Sequence, residues 1–288
     1  DPTHPLRSGW QSYSGVISNV GSGSPLKTYF NYNKWVDGVG ERVAGRYLTT
    51  DESDDAIAFL KADVDFVSLS YHAPHAPIHL PPPVLHSVTP LASDFDRVRA
   101  MLAACDTELG RVLTVALMRG YHVIVFSDNG TSSAVGGGKG SLFDNGVVNP
   151  FWAVGPTFAP GVDDTRFTAA DIYDTVGEFF GIDVTGRHRG PQSSSVLRAL
   201  QGERDDRRWT YSERFQGLGL DPRTSMMSWR RTVRGARYKL HRRHPALTEQ
   251  LYDLEADPDE QVDLLLAPSL SPSAQAAYDH FLEILRRL

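Results

Sequence analysis

The chain has 288 residues, of which 41% are hydrophobic and 22% are charged, and its formal net charge is −6 at pH 7. This composition is typical of a globular protein and excludes a disordered chain, a coiled coil and a disulfide scaffold. The acidic balance gives no reason to expect nucleic-acid binding. No apolar run approaches the ~18–20 residues of a membrane span. We therefore expect neither a nucleic acid nor a membrane as partner.

The first quarter of the chain predicts loops followed by one helix and one strand. Residues 1–48 are rich in Gly, Ser, Tyr and Asn and indicate loops with short strands. A helix is expected over 50–61, where acidic residues crowd the first turn. The β-branched and aromatic segment 64–71 predicts a strand. The proline-rich segment 72–90 is predicted to be a loop.

The next segment contains the clearest helix signal. Ser93 and Asp96 form a potential capping pair, apolar residues then keep a 3.6-residue period, and Gly120 suits the C′ position. A buried-type strand is expected over 122–126. Strand, helix and strand over 64–126 predict a βαβ unit with a parallel pair of strands.

The second half of the chain predicts a change of architecture. A strand is expected over 150–154 and a helix from Thr168 to Phe180. Antiparallel strands are expected over 232–241 and 250–254, and Ser271-Pro272 opens a last amphipathic helix. We therefore predict a large α/β domain over 1–205 and a smaller α+β subdomain over 206–288.

A candidate metal site follows the 122–126 strand. Ligands of open α/β sheets bind beyond the carboxyl ends of the strands, where Asp128 and Asn129 stand. A carboxylate and an amide oxygen suit Ca²⁺ or Mg²⁺, and Gly130 permits the sharp turn that would aim them together. The alternative is a plain Asx turn that closes the strand.

Two further residues are candidates for catalysis. His75 stands in Pro74-His75-Ala76-Pro77, after the predicted 64–71 strand, where it could donate a hydrogen bond to an oxyanion or act as a general acid. Lys139 stands in the glycine-rich segment 136–140, where the backbone can approach an anion closely. The segment is not a Walker A loop, because Gly140 stands where Ser or Thr is required. The alternatives are a surface histidine and a flexible surface loop.

Two other features are interpreted as structural. Cys105 fits the apolar face of the long helix, which favours a buried thiol over a nucleophile. The acidic segment 253–260 lacks the glycine and the glutamate spacing of an EF-hand, so we interpret it as a solvated turn.

Several of these segments together, in their order and spacing, resemble the sulfatase family of the alkaline phosphatase superfamily. The resemblance covers nearly the whole chain. It is carried by the segments Tyr32–Gly38 and Tyr47–Asp51, which look like the family's middle region, by Pro74-His75-Ala76-Pro77, Ser127-Asp128-Asn129-Gly130 and Lys139-Gly140, and by Gln250–Gln261, which is similar to an L-Y-D-L-x-x-D-P-x-E signature.

The resemblance implies a fold, a reaction and residue roles. The fold would be α/β, with a mixed, largely parallel sheet and helices on both faces, followed by the small C-terminal subdomain. Asp128 and Asn129 would be two ligands of a divalent cation, usually Ca²⁺, while Lys139 and His75 would contact the sulfate group. Zinc-dependent phosphodiesterases resemble this pattern but have histidine at the position of Asn129, and an amide oxygen favours a hard cation.

The chain departs from the family in one large respect. Sulfatases carry an N-terminal Asp-Asp metal pair and a C/S-x-P-x-R motif whose Cys or Ser becomes formylglycine, and no such motif stands in this sequence. We therefore expect the C-terminal portion of a sulfatase that hydrolyses aryl or carbohydrate sulfates, with the formylglycine in a missing N-terminal part. The chain alone would then be inactive and hold a divalent cation weakly.

Two other functions stay open. The chain could be a non-catalytic sulfatase-like protein that binds anionic sugars or a partner, or a phosphodiesterase or phosphatase relative, which Asn129 disfavours. The expected partners are a sulfated small molecule or glycan, and either a missing N-terminal chain or a second copy of this chain. The resemblance is compatible with a periplasmic or extracellular location, which the sequence does not decide.

Overall fold

The computed structural model describes residues 1–21, 28–184, 193–203, 207, 209–216, 228–244, 246 and 248–288. They form two compact units, Asp1–Val123 and Ile124–Leu288. The sequence-predicted domain boundary at residue 205 lies outside the described residues and stays a prediction.

The elements of the first unit are short strands around two long helices. In chain order they are α1 (His4–Arg7), β1 (Ser14–Gly15), β2 (Asn31–Val36), β3 (Val39–Ala44), α2 (Leu48–Lys61), a 3₁₀ turn (Pro83–Leu85) and α3 (Asp94–Met118). Strand β4 (Val123–Phe126) begins at the last residue of this unit.

The second unit contains the remaining strands and shorter helices. In chain order they are a 3₁₀ turn (Ser133–Val135), α4 (Asp144–Val147), β5 (Phe151–Val154), α5 (Asp171–Phe179), α6 (Leu197–Leu200), β6 (Thr210–Gln216), β7 (Ser228–Arg234), β8 (Tyr238–His244), β9 (Glu249–Asp253), a 3₁₀ turn (Leu264–Leu266) and α7 (Pro272–Arg287). In the described residues, no helix is long and apolar enough to cross a membrane.

The sheet of the first unit is antiparallel, in the order β1-β2-β3, and it is tied to α2 by buried charges. The Nζ atom of Lys34 lies 3.0 Å from Asp51 and 2.7 Å from Asp55, and the hydroxyl of Tyr32 donates to Asp51 at 2.9 Å. Asp51 is only 1% exposed. The acidic first turn of α2 therefore serves mainly to pair with β2, in addition to any effect on the helix dipole.

The predicted long helix is confirmed with its cap. The Ser93 hydroxyl accepts the Asp96 N–H at 3.1 Å, and the Asp96 carboxylate accepts the Ser93 N–H at 3.1 Å, which is a complete capping box. Gly120 adopts φ +77° directly after the helix. The helices at 50–61 and after Ser271 are also confirmed, as α2 and α7.

The predicted strand over 64–71 is wrong, and with it the parallel pair. The segment is extended, and Val67 and Leu69 pack on a cluster between α2 and α3 while Phe66 is 47% exposed. Its sequence therefore has the alternation of a strand. A strand also needs a neighbour for its backbone hydrogen bonds, and no described segment pairs with it.

The predicted largely parallel sheet is not found in the described residues. The strands of the two larger sheets are antiparallel, and β4 pairs with β5 in a separate two-stranded sheet. The second unit's main sheet has the order β6-β7-β8-β9, with α7 packed against it through Phe281 and Leu285. The strand predicted over 232–241 is in fact a hairpin, because the chain turns between β7 and β8 and Gly235 donates to Tyr238.

Candidate functional site

The loop that carries His75 is held by a buried tyrosine. Tyr29 is fully buried, and its hydroxyl lies 2.7 Å from the carbonyl oxygen of His72 and 2.8 Å from that of His75. The imidazole of His75 itself is exposed. Its Nδ1 lies 2.8 Å from the carbonyl oxygen of Ala76, which can only accept, so Nδ1 carries a hydrogen and Nε2 is left for other contacts. Nε2 lies 3.5 Å from the amide nitrogen of Asn19.

A Glu–His pair supports the same loop. The Nδ1 atom of His72 lies 2.5 Å from Oε1 of Glu52 on α2, and the N–H of His72 donates to Oε2 at 3.4 Å. Burial raises the pKa of Glu52, against the lowering effect of His72. Burial alone would lower the pKa of His72, but the hydrogen bond and charge of Glu52 raise it. No local sequence pattern indicates this pair, because Glu52 and His72 are twenty positions apart.

The second unit brings two candidate loops together. We call residues 127–131 the Asp-Asn loop and residues 136–140 the glycine loop. The N–H of Lys139 donates to the carbonyl of Thr131 at 2.9 Å, and Gly130 donates to Gly146 at 3.0 Å. A Cβ atom on Gly130 would lie 2.2 Å from the carbonyl oxygen of Asn145, so only glycine fits there. The two loops form one hydrogen-bonded arrangement, with the side chain of Lys139 exposed.

The Asp-Asn loop has the right donors for a hard cation but too few of them. The side chain of Asp128 is exposed and that of Asn129 is half-buried. No group of three or more His, Cys, Asp or Glu side chains in the described part of the chain could hold a metal. Ca²⁺ takes about 6–8 oxygen ligands, so two protein oxygens do not complete its shell. His75 belongs to the first unit, whereas Asp128, Asn129 and Lys139 belong to the second.

A buried charge network that the sequence did not predict lies beside the glycine loop. Lys239 is fully buried, and its Nζ lies 2.7 Å from Asp144 and 3.0 Å from Glu260. Glu260 also accepts the N–H of Asp144 at 2.5 Å, and Arg234 binds the Asp144 carboxylate through two nitrogen atoms. Burial lowers the pKa of His241, which favours the neutral imidazole, and its Nε2 lies 3.0 Å from the carboxylate of Glu260.

The interpretation of 253–260 as a solvated turn holds for its middle, where Glu255 and Asp259 are exposed, and not for its ends. Asp253 and Glu260 are 8% and 4% exposed. Asp253 pairs with Arg237 at 2.7 Å. Burial would raise the pKa of Glu260, but His241, the Asp144 amide and Lys239 hold it below its ordinary value. Glu260 therefore connects the acidic segment to the start of α4, which begins four residues after the end of the glycine loop.

The structure agrees with the interpretation of Cys105 as a structural thiol and not a nucleophile. It packs against the cluster around Tyr29 and Met101. Burial raises the pKa of the Cys105 thiol to about 12, so the nucleophilic thiolate is not formed at neutral pH.

Comparison with known proteins points to one fold. No protein-family model and no curated protein matches the chain. Among solved structures, the chain is similar to Ps i-CgsB in complex with k-i-k-neocarrahexaose, with a TM-score of 0.73, 18% identity, and coverage of 91% of this chain and 63% of that chain. It is similar to BT4656 in complex with its substrate D-glucosamine-2-N,6-O-disulfate, with a TM-score of 0.66, 16% identity, and coverage of 97% and 76%.

A third similar structure is BT1596, a 2-O GAG sulfatase, with a TM-score of 0.51, 16% identity, and coverage of 84% of this chain and 62% of that chain. Phosphonate monoester hydrolases also match. The chain thus spans less than two thirds of Ps i-CgsB and of BT1596. At these identities the likeness shows the fold: the chain is folded like a region of the sulfatases, a mixed α/β structure with antiparallel sheets.

Proposed function

We propose that this chain is part of a sulfatase-like hydrolase that cleaves carbohydrate sulfate esters with the help of a divalent cation. The observation that carries the proposal is the likeness to solved sulfatases combined with the hydrogen-bonded Asp-Asn and glycine loops. The sulfated sugars named with two of the similar proteins support a carbohydrate substrate. The nucleophile would come from residues outside this chain, because no C/S-x-P-x-R motif stands in its sequence.

The proposed roles follow from side-chain chemistry. The ammonium of Lys139 would hold a sulfate oxygen and stabilise the charge that develops in the transition state. Because Nδ1 of His75 donates to Ala76, a proton delivered to the leaving oxygen would come from Nε2 of the imidazolium form. Asp128 and Asn129 would supply two oxygen ligands to the cation, which would neutralise negative charge on the ester.

Two alternatives make different predictions. A phosphodiesterase or phosphonate hydrolase is favoured by the likeness to phosphonate monoester hydrolases, and it would prefer a phosphorus ester over the matching sulfate ester. A non-catalytic binding protein would bind sulfated sugar with no turnover in any form of the protein, and would be encoded without an upstream nucleophile motif.

The test uses the protein expressed with its upstream coding sequence and 4-nitrophenyl sulfate as substrate. Lys139→Ala and His75→Ala should each lower kcat/KM by about 10²–10³-fold, since each removes stabilisation of transition-state charge. Lys61→Ala is the matched control, because Lys61 is an exposed lysine at the end of α2, and it should leave turnover unchanged. Unchanged turnover in Lys139→Ala or His75→Ala removes that residue from the site, and the absence of an upstream nucleophile motif favours the binding protein.

A further inference from the structure

A cavity opens next to the His75 loop in the first unit. Strand β1 pairs with β2 only at Ser14 and Gly15, and the cavity lies between the following segment, residues 16–20, and β2. Its volume is about 280 Å³. This volume is at the lower limit of about 300 Å³ for small-molecule sites, so the cavity can hold no more than a single ring and its substituents.

The wall of this cavity is attached to the His75 loop at three places. The ring of His72 hydrogen-bonds the backbone of Ser18, and the amide of Asn19 lies 3.5 Å from Nε2 of His75. Gly21 adopts φ +81°, and a Cβ atom there would lie 2.4 Å from Pro77, so the chain passes directly against the loop. The Glu–His pair thus positions the catalytic candidate and the cavity wall together.

The lining combines an aromatic plane with polar groups that both donate and accept. Asn33 and Trp35 occupy alternate positions of β2, and the Trp35 ring lies over Gly40 of the neighbouring strand, since a Cβ atom there would lie 2.7 Å from it. The amides of Asn19 and Asn33 and the hydroxyl of Ser18 complete the lining. A sugar ring matches this combination, because its C–H face packs on an indole while its hydroxyls need both donors and acceptors.

The charges around the cavity argue against an anion inside it. Among the described residues that line it there is no Lys or Arg, the lining residue Asp1 pairs with Arg7 at 2.7 Å, and the nearby Arg42 is engaged by Asn33 at 3.3 Å. A sulfate group on a bound sugar would therefore lie outside the cavity, at the end where Asn19 approaches His75.

We propose that this cavity binds the neutral sugar ring of the substrate and that Trp35 and Asn19 are determinants of its specificity. The proposal rests on the proposed function for the role of His75. Ring and ester then have separate binding groups: the cavity holds the sugar, and His75 contacts its sulfate.

The experiment is calorimetric titration of this chain with glucosamine 6-sulfate, glucosamine and phenyl sulfate, up to 50 mM. Trp35→Ala should weaken both sugars by about tenfold or more, through lost stacking and burial. Trp10→Ala is the matched control, because Trp10 stacks on Phe66 away from the cavity and should change neither affinity. His75→Ala should weaken only the sulfated sugar.

Asn19→Ala is the second variant, since Asn19 is exposed in a loop and we expect its replacement to leave the fold intact. It should weaken both sugars even if Trp35→Ala fails to fold. If these variants bind both sugars like the parent while His75→Ala loses affinity for the sulfated one, the cavity assignment is overturned and the proposed function stands. If they lose affinity for both sugars but sulfate adds nothing in the parent, the cavity stands and the proposed function loses its support. Binding of phenyl sulfate alone, or of no ligand, overturns the sugar assignment.

Discussion

Replacing Lys239 with methionine tests how the second unit is held together. Lys239 is fully buried, and its ammonium makes two charge-assisted hydrogen bonds, to Asp144 at 2.7 Å and to Glu260 at 3.0 Å. Each such bond contributes about 1.5–3 kcal/mol, and breaking a buried ion pair costs about 3–5 kcal/mol. In Lys239→Met, Asp144 still pairs with Arg234 and Glu260 still contacts His241. We therefore expect the free energy of unfolding to fall by about 3 kcal/mol, the lower end of the range for a broken buried ion pair.

The assay is urea unfolding at pH 7, followed by circular dichroism. The double variant Lys239→Met/Glu260→Gln should recover about 1–2 kcal/mol, since it also removes the carboxylate that would otherwise stay buried without its cation. The matched control Lys61→Met, at an exposed site, should change the free energy of unfolding by less than about 0.5 kcal/mol.

The contribution of Glu260 to stability depends on pH. The pKa of Glu260 is lowered in the folded chain, against the effect of its burial, so the stability it contributes is present above the unfolded pKa and is lost as pH falls through the folded pKa. The difference between the parent and Lys239→Met should therefore shrink below about pH 4.5. A loss under 1 kcal/mol at pH 7, or a double variant that loses the full sum of its single changes, would refute the account of a buried network.

Three further outcomes are expected. Glu52 raises the pKa of His72, so the stability that this pair contributes is present below about pH 6.5 and is lost as pH rises through the folded pKa. The difference in unfolding free energy between the parent and Glu52→Gln should therefore be larger at pH 6 than at pH 9. A difference that does not change with pH would contradict the pairing. Calorimetry should show Ca²⁺ binding to this chain weaker than about 1 mM, because the Asp-Asn loop offers two oxygens; micromolar binding would show a more complete site. Gly130→Ala should destabilise the chain by about 1–3 kcal/mol, whereas Gly110→Ala, on the open face of α3, should stabilise it by about 0.5–1 kcal/mol; equal effects would contradict the close approach at Gly130.

Helices with local signals were predictable from the sequence. Ser93 and Asp96 are three residues apart and cap α3, and Ser271 accepts the N–H of Ala274 at the start of α7. Each of these signals acts within one turn, so a pattern of neighbouring residues contains all the information that the structure uses.

Strand pairing and the buried networks depend on distant residues. The segment 64–71 has the alternation of a strand, yet pairing depends on a neighbour that no local pattern specifies. Lys239 and Asp144 are 95 positions apart, and Glu52 and His72 are twenty apart. Their burial follows from tertiary packing, which single-sequence periodicity does not contain.

The rarity of lysine turns out to be informative in more than one way. The chain has 29 basic residues, of which only five are lysine. Lys34 and Lys239 are both buried, and each ammonium lies between two carboxylates, a gap that a compact point charge fits better than the planar fork of arginine. Lys139 differs from both, because its side chain is exposed and no carboxylate of the described residues pairs with it. An ammonium held beside a glycine-rich backbone without an internal counter-charge is available to an external anion, which is the chemistry that a sulfate ester requires.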